Sequence, residues 1–78
     1  MLTRYIQTAM DAASYKVIDD GTYFGEIPSL EGVWANEPTL EQCKVVLQEV
    51  LEDWLLLKLR DDDPIPQIGN VTLTTKAA

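Results

Sequence analysis

The side chains in this sequence that are capable of chemistry are few, and their spacing does not gather them. There is no histidine, so the commonest general base and transition-metal ligand is missing. The single cysteine, Cys43, has no second thiol for a disulfide or a zinc site. It falls inside an apolar helical stripe, where a small buried hydrophobe is the expected role. Asp61, Asp62 and Asp63 are consecutive, and in an extended stretch their carboxylates point in different directions instead of converging on one cation. Asp19 and Asp20 precede Gly21 and are turn formers first. Glu26, Glu31 and Glu37 fall near the ends of predicted strands. They are not the paired acids on adjacent strands that a magnesium-dependent nuclease needs. The run GEIPSLEG at 25–32 lacks the spacing of a phosphate-binding loop and leads into another strand. No catalytic, cofactor-binding or metal-ligating residue is therefore expected, and the chain reads as a non-enzyme that needs no cofactor.

The bulk numbers point the same way. Thirteen acidic residues against six basic ones give a net charge of −7. Nucleic-acid affinity rests on lysines and arginines that neutralise phosphates. The scattered Arg4, Lys16, Lys44, Lys58, Arg60 and Lys76 do not supply such a patch, so direct nucleic-acid binding is not expected. An acidic surface suits a basic protein partner and fast, steered association. The absence of a secretory signal and of any long apolar run predicts a cytoplasmic protein with no membrane partner. Seventy-eight residues make one domain, 1–78, with its core at about 14–68. Such a chain buries only about 60% of its unfolded surface. With no disulfide possible, self-association is the remaining stabiliser.

The elements follow from periodicity. LTRYIQTAMDAA places Leu2, Ile6, Ala9 or Met10, and Ala13 on one face of a short helix, with Thr3 as its cap. SYKV and TYFGEI alternate around Asp19-Asp20-Gly21, a hairpin turn that uses glycine's access to positive φ. Gly25 within the second strand predicts a bulge or another backbone passing close by. Pro28 ends that strand, SLEG turns the chain, and VWANE forms a third strand. A long helix then starts at Thr39, with Gln42 completing a capping box. At about 100° per residue, Leu40, Cys43, Val46, Leu47, Val50, Leu51, Trp54 and Leu57 make one broad stripe. The fold class expected is α+β: a three-stranded antiparallel meander packed by one long helix, with a short N-terminal helix and a short C-terminal extended segment.

Some apolar residues miss that stripe. Val45 and Leu56 lie nearly opposite it, Leu59 on its flank, and Leu55 is marginal. Leu55, Leu56 and Leu59 are therefore expected to form a homo-oligomer interface, a dimer or higher. The tail around Val71 and Leu73 is expected to add a strand to a neighbour's sheet edge.

The ordered set of Tyr23, Ile27, Pro28, Leu30, Gly32, Val33, Thr39, Glu41, Ile65 and Pro66 resembles the HicB family of antitoxins from type II toxin–antitoxin systems. The resemblance covers about residues 14–68 and implies a reduced ribonuclease H-like fold without catalytic carboxylates. It also implies a function: binding and masking a small basic HicA-like RNA-cleaving toxin. Many family members carry a DNA-binding second domain. Only ten residues follow Ile68, so a short form without operator binding is expected. The N-terminal helix is an addition to the family pattern. The alternative function is a self-assembling structural or regulatory module with no toxin partner.

Overall fold

The computed structural model describes residues 2–69 and 71. Five elements follow one another: α1 (Leu2–Asp11), β1 (Ser14–Val17), β2 (Tyr23–Glu26), β3 (Trp34–Glu37) and α2 (Leu40–Arg60). The strands form one antiparallel sheet in the order β1-β2-β3, so the predicted meander is present, and α2 packs across it against β2 and β3.

The hairpin and the β2–β3 connection are set by glycine and by three inward apolar residues. Gly21 takes φ +84° at the end of the first hairpin. The second connection is two successive turns, with the Leu30 N–H donating to Ile27 O at 2.9 Å and the Val33 N–H to Leu30 O at 3.2 Å. Gly32, at φ +91°, occupies the position of the second turn that side chains avoid. Ile27, Leu30 and Val33, three residues apart, are each 1% exposed. The connection between β2 and β3 is thus a core-forming loop.

Pairing across the sheet is continuous, with Tyr15 opposite Gly25 and Gly25 opposite Ala35. The expected bulge at Gly25 is absent. What comes close to Gly25 is a side chain instead of a backbone: a Cβ built there would sit 2.8 Å from the Tyr15 ring and 2.9 Å from Cys43 Sγ. Strand alternation puts Tyr15, Gly25 and Ala35 on the face toward α2. Ser14, Lys16, Phe24, Glu26, Trp34 and Asn36 lie on the other.

The long helix begins as expected. Thr39 is extended (φ −126°, ψ 157°) and its hydroxyl accepts from the Gln42 N–H at 3.1 Å. Its buried residues are Cys43, Leu47, Leu51 and Leu55. This differs from the predicted stripe, because a strict i, i+4 row drifts about 40° per step around a helix. The first half of α2 lies on the sheet, but at about 31 Å the helix outruns strands about 13 Å long. Its second half is covered from another side, by α1. The buried face turns accordingly. Leu55 is 1% exposed and Leu57 is 51% exposed, the reverse of their expected roles.

The helix ends in a Schellman arrangement. The Asp63 N–H donates to Lys58 O at 2.9 Å and the Asp62 N–H to Leu59 O at 3.3 Å, while Asp62 takes φ +56°. The three aspartates therefore follow the last helical residue, Arg60, with Asp61 as the C-cap, and their backbone N–H groups satisfy the last carbonyls.

Helix α1 starts at Leu2, so Thr3 lies within its first turn instead of capping it. The predicted face missed Tyr5, which is fully buried with Ala9. The Tyr5 hydroxyl donates to Pro66 O at 2.6 Å, which ties the first helix to the segment after the last. Burial raises the pKa of this phenol, because the charged form loses its hydration. Tyr5→Phe is expected to cost about 1 to 2 kcal/mol, since it leaves the part-buried carbonyl without its donor. Thermal melts of the two proteins measure this.

Candidate interaction surfaces

Among the described residues, no group of three His, Cys, Asp or Glu side chains is placed to hold a metal ion, and no helix is long and apolar enough to cross a membrane. Cys43 is fully buried, with its thiol 3.6 Å from Ala35 O. Burial pushes the thiol pKa up, and the nearby negative charge of Glu37 pushes it further the same way. Cys43 therefore stays a neutral thiol at physiological pH and acts as core filling. Asp20 accepts from the Thr22 hydroxyl at 2.5 Å and from the Thr22 N–H at 2.9 Å. These bonds hold its carboxyl pKa below the usual range, and they shape the hairpin. Asn36 reaches across from β3 to Thr22 Oγ1 at 2.7 Å and Tyr23 O at 2.9 Å.

What the fold leaves in water is more distinctive than any cleft. On the sheet face away from α2, Phe24 and Trp34 stack with ring centroids 5.8 Å apart and planes 24° from parallel. Trp34 is 54% exposed, and Lys16 Nζ lies 5.5 Å from the Phe24 ring. Glu26 is the cross-strand partner of Trp34, so a carboxylate flanks the aromatic pair. The sequence carried this signal in FGEI and VWANE, where strand alternation alone places both rings outward, but the helical leucines are the louder pattern.

The second surface lies where two helices meet. Leu2 and Ile6 of α1 share a groove with Glu52, Leu55, Leu56 and Leu59 of α2. Further along, Met10 and Asp11 lie beside Gln48, so the helices run antiparallel. Of the residues expected at a subunit interface, Leu56 is exposed and Leu59 half-buried, and both line this groove. Leu55 forms its floor as part of the core, with no surface left to offer a second subunit. Val71 does not offer a free strand either. Its N–H donates to Ile68 O at 2.8 Å and its carbonyl accepts from the Ile68 N–H at 3.0 Å, so both backbone groups are used within the chain. Leu73 lies outside the described residues.

A three-stranded antiparallel meander backed by α2 defines a small α+β domain. The chain belongs to the UPF0150-like family, whose model matches residues 4–66. That is a HicB-like, antitoxin-type family of small proteins. The fold is shared with the crystal structure of TTHA0281 from Thermus thermophilus at a TM-score of 0.88. The two are 46% identical over 92% of this chain and 90% of that one. No curated protein matches.

Proposed function

We propose that this chain is a HicB-like antitoxin that acts in the cytoplasm without catalysis, by binding and masking a small basic HicA-like RNA-cleaving protein. The observation that carries this reading is the stacked Phe24–Trp34 pair, with Trp34 exposed and Phe24 half-buried on the sheet face away from α2, in a chain with net charge −7 of the UPF0150-like family. Exposed tryptophans are among the commonest anchors of protein interfaces. A carboxylate beside the anchor and the net negative charge of the chain favour a basic partner and repel RNA. The HicB-like positions Ile27, Leu30, Gly32 and Val33 support the reading at one remove. They build the connection between the two strands that carry the aromatic pair.

The test is to look for a small basic protein encoded beside this chain and to take its RNA-cleaving activity as readout. Excess chain is expected to stop cleavage. Trp34→Ala is expected to weaken the complex at least tenfold, the loss of about 1.4 kcal/mol or more that removal of a hot spot brings. Association is expected to slow as salt rises, because screening removes the long-range attraction. Cleavage unaffected by excess chain would overturn the proposal. Binding that survives in Trp34→Ala would move the partner to another face.

A further inference from the structure

We infer that the groove between α1 and the C-terminal half of α2 is a homodimer interface, in which the two copies of α2 cross antiparallel on a twofold axis at Leu56. This surface is separate from the aromatic sheet face, and the inference does not depend on any toxin partner.

The groove presents Leu2 at 41% exposure and Leu56 at 61%, with Ile6 and Leu59 half-buried beside them. Two antiparallel helices form its walls, so a second copy meets a platform two helices wide. A stable interface takes about 800 Å² from each partner, roughly a seventh of the 5293 Å² surface of this protomer.

The choice of a second copy over another occupant rests on charge. Glu52, Leu56 and Arg60 are spaced four residues apart on α2, so they share one side of the helix. An antiparallel copy centred on Leu56 sets Glu52 opposite the partner's Arg60, and the twofold axis repeats the pair in the other direction. A twofold interface must be self-complementary, and this acid–leucine–base arrangement is. Arg60 Nε lies 3.2 Å from Oδ1 of its neighbour Asp61 and its side chain is 71% exposed, so it remains accessible to Glu52 of a second copy. The left-handed residue Asp62 turns the chain off the helix axis immediately afterwards, which ends the paired region.

Solution mass and a charge swap test this together. Sedimentation equilibrium of the whole chain should give twice the 8.8 kDa protomer mass. Leu56→Glu should raise the dimer dissociation constant at least tenfold with an unchanged circular dichroism spectrum, because Leu56 takes no part in the protomer core. Glu52→Arg and Arg60→Glu should each weaken the dimer, and the double variant should recover most of the loss. The inference is overturned by a wild-type monomer at 100 µM (about the upper range for a weak dimer), by a dimer indifferent to Leu56→Glu, or by a swap that restores nothing. A monomer whose groove is instead protected by the basic partner would also overturn it and assign the groove to that protein.

Discussion

Leu55→Ala is expected to cost about 3 kcal/mol of folding stability, and Leu57→Ala under about 1 kcal/mol. Leu55 is 1% exposed and belongs to the single core cluster, whereas Leu57 is 51% exposed. Truncating a buried leucine removes its transfer free energy and leaves a cavity, together worth about 2 to 5 kcal/mol. Truncating a half-exposed one removes much less. At about 0.05 to 0.15 kcal/mol per residue, a domain this small has only a few such losses in reserve. Leu55→Ala should therefore leave a population of unfolded chains at 37 °C. Urea denaturation at one fixed protein concentration measures both variants. Equal losses would mean that the buried face of α2 does not turn as the structure shows.

The same pair of residues shows where reading the sequence stops. One apolar stripe can be drawn when a helix packs on one flat layer. Cys43, Leu47 and Leu51 lie on that stripe and are buried, because the sheet covers them. Beyond the end of the sheet the cover comes from α1, which is distant in sequence. No local pattern announces the side from which it approaches. Tyr5 was missed for the same reason: its burial is explained by Pro66, sixty-one positions away. The elements set by local chemistry were legible. Thr39 capped α2, Gly21 turned the first hairpin, and the aspartates ended the helix, each through contacts within about six residues.

The candidate surfaces were legible in part. Leu56 and Leu59 line the groove as their helical phase predicts. The aromatic pair on the sheet needed the register of β2 against β3 before two rings ten positions apart in sequence became a single feature. Its anchoring in the fold leads back to the glycine between them in the middle strand.

Gly25→Ala is expected to destabilise the domain by about 2 kcal/mol, against the usual sign for that change in a strand. Replacing a strand glycine by alanine ordinarily helps by about 0.5 to 1 kcal/mol, because the unfolded chain loses freedom. Here the added methyl group has nowhere to go. Its carbon would lie 2.8 Å from two atoms of the Tyr15 ring and 2.9 Å from Cys43 Sγ, and all three belong to one tightly packed point. The ring is cross-strand from Gly25, with Lys44 Nζ 5.8 Å from its centroid, and Cys43 is fully buried. Overpacking of this kind costs about 1 to 3 kcal/mol. Because the added methyl group pushes the sheet away from α2, the strain should couple to the size of residue 43. Gly25→Ala combined with Cys43→Ala should therefore lose less than the sum of the two single changes, with a coupling of about 1 kcal/mol in a double-mutant cycle. Denaturation curves of the four proteins decide the matter. A Gly25→Ala protein as stable as the parent, or a cycle with no coupling, would mean that the Tyr15 ring does not lie over Gly25 against the helix.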